Sequence, residues 1–570
     1  MTNSNVKYVR ILSRVGSSLI VFLVLYSLGS VVSAVELPGE RRSVLPDFVP
    51  PKRTPTNILP IIPLPSLPST GSAAAGTRLF IREYRFIGNT VFDDSELAAV
   101  SSPYTNREVS FAELQALRDQ LTLHYVERGY INSGAVIPPQ NVTDGRIEVH
   151  LVEGSLSDVA VETDGRFRPD YFRDRLIARS PKVVNVQQLE EQLQLFLQDP
   201  RVKRIDAEFV PGKVRGEAIL QVHIEEEEPA RFEFRLSNDV SPSVGGVSGR
   251  TLFNYDNPFR RGDRLELSAT VADGLKELGV RYELPLTLAD TLLELEVNIS
   301  DIEVVEEPFE PLDIEGRSYS YTIGLRQPFY RSLSTTMTAF IRGEYRKSSS
   351  FLFGEPFAFS QGTDDGVARV SVIRAGADWT YRDQWQVMAL RTNVSVGLNV
   401  FGATHNQGNV PDGEFVTWLG QVQWARRLGF LDSQLLLRLD AQLSNSALLA
   451  MEQFTIGGEA TVRGYREKER VTDNGVVGSI EWRVPMTWLD STYGRFEIAT
   501  FIDAGNSWNY NRGSTSPHTL VSAGLGLRWR IRDRARAYLY WANSLREISQ
   551  ISENDLQDDG IHFGFSLGWK

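Results

Sequence analysis

The sequence predicts an all-β transmembrane barrel of about sixteen antiparallel strands, preceded by two small α+β domains. Three observations carry that prediction. From Ala230 to the C-terminus, apolar and polar residues alternate with period two in about sixteen short runs. The connections between those runs alternate between short turns and long loops. The chain also begins with a segment built for export, and its only long apolar stretch lies there.

Taken in order, Lys7, Arg10 and Arg14 precede an apolar run from Leu19 to Leu28, followed by the small-residue site Val32-Ser33-Ala34. That pattern reads as a signal peptide over residues 1–34, cleaved so that the mature chain leaves the cytoplasm. Residues 35–77 carry Pro38, Pro46, Pro50, Pro51, Pro55, Pro60, Pro63, Pro65 and Pro68, which favours a semi-rigid extended linker over helix or sheet.

Residues 78–153 form the first compact module. Ile81–Ile87 reads as a strand, and Ser110 with Glu113 forms a capping box. The helix that follows sets Phe111, Leu114, Leu117, Leu121 and Tyr125 on one face, and Gly129 stops it. Strands near Asn132–Ile137 and Arg146–Val152 complete it. Residues 154–228 repeat the plan, with a strand at Val159–Glu162 and a helix capped by Asn185 with Gln188 three residues on. Its apolar face is Leu189, Leu193, Phe196 and Leu197, and strands Arg204–Val210 and Ala218–Glu225 close the unit. The acidic run Glu225–Glu228 reads as a solvated hinge.

From residue 229 to 570 the alternation is continuous. Phe232, Phe234 and Leu236 interleave with Glu233, Arg235 and Ser237. At the end, Phe563, Phe565, Leu567 and Trp569 interleave with His562, Gly564, Ser566 and Gly568. Connections such as 257–263, 285–290, 382–384 and 531–534 are short, whereas 301–316, 347–365, 399–413, 445–475, 504–519 and 544–560 are long. Short turns on one rim and long loops on the other are the mark of a membrane barrel; a soluble sandwich would alternate without that asymmetry.

Composition narrows function. The chain has no cysteine, which excludes disulfides and thiolate metal sites. Its formal charge is −12, and residues 1–34 hold three basic residues and no acid, so the mature chain is more acidic still. A nucleic-acid footprint would be basic. Gly564-Phe565-Ser566-Leu567-Gly568 matches the serine-hydrolase elbow, but no acid or histidine follows it and it lies inside an alternating run. The six histidines lack metal-ligand spacing, and no phosphate-binding glycine loop is present, so neither an enzyme nor a cofactor is expected. The stretch 445–475 contains Val462-Arg463-Gly464-Tyr465, and Phe501-Ile502-Asp503-Ala504-Gly505 ends a later strand. An arginine on an inward-folded loop needs a carboxylate on the wall, because a buried unpaired charge is costly.

These two motifs, in this order and within this architecture, resemble the outer-membrane transporters of two-partner secretion, the haemolysin and filamentous-haemagglutinin secretor type. The resemblance covers the whole mature chain. It implies POTRA modules at 78–153 and 154–228 in the periplasm and a sixteen-strand barrel at 229–570 in the bacterial outer membrane. By it, Val462, Arg463, Gly464 and Tyr465 form the tip of an inward-folded loop, and Arg463 meets Asp503 of the Phe501, Asp503, Gly505 motif. Phe563, Phe565, Leu567 and Trp569 become the assembly signal of the last strand, although the family's terminal aromatic stands one position early, before Lys570. Pro38 and Pro46 are separated by seven residues, which argues against the long N-terminal plug helix of some relatives.

The implied partners are a secreted exoprotein, typically a large β-helical haemolysin or adhesin, outer-membrane lipids, and the barrel-assembly machinery and periplasmic chaperones for biogenesis; no nucleic acid is implied. The passenger would add strands to POTRA sheet edges, thread the polar lumen unfolded, and fold outside. The alternatives are a related barrel-assembly or insertion factor, which usually carries three or more POTRA modules, and a passive porin, which has no use for such modules.

Overall fold

The computed structural model describes residues 58, 78–142, 144–214, 216–489, 494–514, 516–532, 534–548 and 555–569. The expected signal peptide, nearly all of the proline-rich linker and any plug lie outside these residues. The described chain falls into two compact units that divide between Glu228 and Pro229.

The first unit holds two copies of one plan. In the first copy Glu83–Ile87 runs parallel to Arg146–Val152, which pairs antiparallel with Gly134–Val136. In the second, Ser155–Thr163 runs parallel to Glu217–Glu226, and Val202–Pro211 pairs antiparallel with the same central strand. Two helices accompany each sheet: α1 (Asp94–Ser101) and α2 (Phe111–Glu127), then α3 (Pro169–Arg179) and α4 (Val186–Leu197).

The predicted caps form. Ser110 and Glu113 make a reciprocal capping box on α2, and the Asn185 side chain accepts from the Gln187 and Gln188 amides at the start of α4. Leu114, Leu117, Leu121 and Tyr125 are buried, but Phe111 is exposed. It occupies the first helical position, from which the side chain leans back past the helix end. Helices α1 and α3 escaped the sequence reading because each is short and presents only Leu97, or Phe172 and Leu176, as its large buried apolar residues. Glu226 is no free hinge carboxylate: it accepts from the amides of Arg166 (2.8 Å) and Phe167 (3.0 Å), closing a turn within the second copy.

The second unit is a closed barrel of sixteen principal antiparallel strands among the described residues. They are β1 (Ala230–Ser237), β2 (Ser248–Asp256), β3 (Arg264–Ala272), β4 (Leu275–Pro285), β5 (Leu292–Glu303), β6 (Ile314–Arg331), β7 (Thr335–Leu352) and β8 (Val367–Arg382). The circuit continues with β9 (Gln386–Leu398), β10 (Val416–Arg427), β11 (Gln434–Ser444), β12 (Asn474–Pro485), β13 (Arg495–Trp508), β14 (Thr519–Ile531), β15 (Ala535–Ser544) and β16 (Ile561–Trp569). Strand β16 pairs back onto β1, from Gly564 opposite Ser237 to Trp569 opposite Phe232. Closure leaves no strand edge inside a bilayer, where an unpaired peptide group has no water to turn to.

Alternation sorts the wall as the sequence predicts. Leu278, Val280, Ile299, Ile323, Ile373, Ile480, Ile502 and Leu525 face outward, and the intervening positions carry charged, polar and small residues inward. The long loops follow odd-numbered strands, as expected. One connection on that rim, between β3 and β4, is only Asp273-Gly274. The longest loop covers 445–473, since β12 already begins at Asn474. It doubles back as a narrow ribbon, Phe454–Ile456 against Arg470–Thr472.

Candidate functional site

The tip of that loop, Val462 to Tyr465, is buried against the inner wall. The wall face it meets comes from β12 and β13, where Ser479 stands opposite Asp503 and Glu481 opposite Phe501. With Ile480 and Ile502 facing outward, period two aims all four of these side chains inward.

Arg463 fills the centre. Its Nε and Nη2 donate to the two oxygens of Asp503 at 2.8 and 2.9 Å, a two-pronged contact, and its backbone amide donates to Asp503 at 3.1 Å. Nη1 donates to Glu481 at 2.5 Å, and Nη2 lies 3.2 Å from the Ser479 hydroxyl. That hydroxyl itself donates to Asp503 at 2.6 Å. The guanidinium carbon sits 3.4 Å from the centre of the Phe501 ring and 4.8 Å from that of Tyr540. Tyr540 stands edge-on to Phe501, so two aromatic faces bracket the cation. A guanidinium this deep persists because two carboxylates and two rings replace its water.

The other motif residues explain the local sequence. Gly464 has φ +86°, and a Cβ there would come within 3.0 Å of the Ala542 backbone oxygen on β15. Its amide donates to His562 Nε2 at 2.9 Å. The Tyr465 hydroxyl lies 2.9 Å from the Val521 carbonyl and 3.1 Å from that of Arg546. Val462 packs with Phe454, Ile456, Tyr465, Val477 and Leu520. Gly505 leaves room for it, since a Cβ there would stand 3.1 Å from the Val462 side chain. The sequence-predicted set Val462, Arg463, Gly464, Tyr465, Phe501, Asp503 and Gly505 therefore converges on one spot.

Sequence reasoning missed the rest of the network. Glu481 is a second carboxylate for Arg463 and also accepts from Arg483; its inward parity on β12 was a usable signal. Arg466, just past the tip, holds Asp558 with two contacts of 2.5 and 2.7 Å and reaches Glu306 at 2.7 Å, tying the tip to two other loops. No spacing in the sequence links those three positions.

The remaining expected site residues lie elsewhere. Phe563, Phe565, Leu567 and Trp569 occupy the outward positions of β16, and the Trp569 ring stacks on Phe232 of β1 at 5.7 Å. Ser566 of the hydrolase-like pattern sits mid-strand in register with Arg235 and Arg536. Among the described residues, no His, Asp and Glu group is arranged to hold a metal ion.

Comparison with known proteins agrees with this geometry. The profile of the haemolysin secretion/activation proteins ShlB/FhaC/HecB matches residues 216–529, and that of the ShlB-type POTRA domain matches residues 79–154. The outer membrane transporter CdiB of Dickeya dadantii (strain 3937) is 21% identical over 476 residues, covering 80% of this chain and 82% of its own. The solved structure of CdiB from Escherichia coli superposes with a TM-score of 0.66 at 19% identity, over 89% of this chain and 94% of that one. For CdiB from Acinetobacter baumannii the TM-score is 0.59 at 17% identity, over 99% and 98% of the two chains. At these identities the structural likeness is one of fold.

Proposed function

The chain belongs to the haemolysin secretion/activation family of ShlB, FhaC and HecB, outer-membrane transporters of two-partner secretion, and we propose that it exports one unfolded exoprotein through its barrel. In this reading residues 78–153 and 154–228 are two POTRA modules in the periplasm. The passenger, a large β-helical haemolysin or adhesin, adds a strand to an open edge of their three-stranded sheets. Main-chain hydrogen bonds supply affinity there with few demands on sequence. The passenger then threads the polar lumen and folds outside, which discourages its return. No cofactor and no catalysis enter.

The observation that carries the proposal is the seating of Arg463 between Asp503 and Glu481 on the inner wall. A passive pore needs no loop held in its lumen by a buried ionic network. A transporter that must stay shut until a passenger arrives has use for one, since an ion pair can part while the strand ladder of the wall stays intact. Arg463 is thus the docking residue of a movable obstruction, and Phe563, Phe565, Leu567 and Trp569 serve assembly into the membrane.

The test is export in cells that express the chain together with a candidate large β-helical passenger. The passenger should reach the medium only when the chain is present. Purified residues 78–228 should bind its unfolded N-terminal fragment and ignore the folded form. Equal binding of both forms, or export without the chain, contradicts the proposal.

A further inference from the structure

The loop 445–473 meets the wall at a second place, and there the charges are reversed. Glu452, on the limb leading to the tip, is fully buried. Its carboxylate accepts from Arg374 Nη2 of β8 at 2.9 and 3.2 Å and stands 3.9 Å from Arg346 of β7. Arg346 also donates to the Met451 carbonyl at 3.0 Å, and Arg374 is steadied by Glu344 (2.7 Å) and Ser395 (2.8 Å). Next to this cluster Leu448, Leu449 and Met451 pack on Ala368, Val370, Val372 and Phe415. The limb is also tied across its base, where Asp473 accepts from the Leu448 amide at 3.0 Å and from Gln453 at 2.9 Å.

At the tip the loop carries the cation and the wall the acids; at the limb the loop carries the acid and the wall the cations. Arg463 placed at β7–β8 would meet Arg374 and Arg346, and Glu452 placed at β12–β13 would meet Asp503 and Glu481, although each wall patch also carries one opposite charge, Glu344 and Arg483. Like charges at close range reject the wrong register. The two anchors also differ in kind. Each ion pair has an apolar cluster beside it, but the limb is tied at its base through Asp473, whereas the segment after the tip is held through Arg466 to other loops. Between limb and tip stand Gly457 (φ +108°) and Gly458 (φ +95°), two consecutive residues with left-handed backbone.

We infer that Glu452 is the fixed anchor of the loop: held by Arg374 and Arg346, it pins the limb 447–456 to the wall while the tip around Arg463 undocks by turning at Gly457-Gly458. Glu452 is a positioning residue. It keeps the freed tip tethered inside one sector of the lumen, so that docking is reversible.

Because the chain contains no cysteine, one introduced thiol reports one site. The full-length protein in liposomes carries either Ala450→Cys on the limb or Thr461→Cys at the tip, both buried, and reaction with a maleimide is timed. Arg463→Ala should speed labelling at 461 by at least about tenfold and leave 450 protected. Glu452→Gln should speed labelling at 450. Heat-modifiable migration on gels confirms that each barrel has assembled. If Glu452→Gln does not assemble, Arg346→Gln, which removes the more distant cation, serves the same comparison. Equal exposure of 450 and 461 in Arg463→Ala would show that the loop moves as one body and overturn the inference. Protection of 450 in Glu452→Gln would do so too. No passenger takes part, so the outcome is independent of whether the export reading holds.

Discussion

Replacing Arg463 with lysine keeps the charge and removes the geometry, which makes it the sharpest probe of the docked tip. The arginine reaches both oxygens of Asp503 at 2.8 and 2.9 Å and Glu481 at 2.5 Å, with its guanidinium carbon 3.4 Å from the Phe501 ring centre. A lysine ammonium is a compact point charge that cannot fork onto one carboxylate while reaching another. One charge-assisted hydrogen bond lost is worth about 1.5–3 kcal/mol, and the lost stacking on a desolvated ring about 1–2 kcal/mol more. A partly wet lumen favours the low end, so about 2.5 kcal/mol in all, or roughly a 70-fold shift of the docking equilibrium toward the free tip. Maleimide labelling of Thr461→Cys reads this shift directly, with heat-modifiable migration as the control for assembly. Labelling of Arg463→Lys at the parent rate would mean that charge alone docks the tip, and the argument from forked geometry would fall.

The remaining expectations concern neighbouring residues. Asp503→Ala leaves Arg463 with Glu481 and should free the tip less than Arg463→Ala does. Adding Asp503→Ala to Arg463→Ala should cost nothing further, and labelling rates at 461 across the cycle check both statements. Glu481→Gln should be the mildest single change, because the two-pronged contact to Asp503 survives it; a loss as large as that of Arg463→Ala would assign the cation to the wrong acid. Gly464→Ala forces a side chain into left-handed backbone against Ala542, a penalty of about 1–2 kcal/mol that should appear as faster labelling at 461 without loss of the barrel. In the first module, hydrogen bonds from the Ser110 backbone and from Arg107 hold the Glu113 carboxyl down at about 2. A depressed acid stabilises above its ordinary range and loses that contribution as pH falls through its folded value. Pepsin should therefore cut the start of α2 more readily in Glu113→Gln than in the parent at pH 4.5, and the difference should vanish near pH 2.

Much of this architecture was legible because two periodicities were undisturbed. Period two in the barrel is imposed by lipid outside and water within, and parity along the strand is enough to fix the facing of Asp503 and Phe501. Helices α2 and α4 announced themselves through a capping box and a cap-bearing asparagine, whose chemistry is local. What the sequence could not disclose depends on contacts between distant segments. Glu452 meets Arg374 across 78 positions, and Arg466 meets Glu306 across 160. The short helices α1 and α3 bury too few residues to show a period. Glu226 looked like one more solvated acid in a run of four, yet its carboxylate closes a backbone turn.

The central claim is that a passenger crosses inside the barrel rather than along its surface. A photo-activated cross-linking residue placed at Asn298 faces the lumen, whereas one at the next position, Ile299, faces outward. A further pair at Phe232 and Trp569 marks the outer face of the β1–β16 seam. With a passenger stalled in transit by a stable folded domain at its C-terminus, illumination should link it to position 298 and to none of the other three. Links from 299, or from 232 and 569 without 298, would place the passenger outside the lumen and contradict export through the pore.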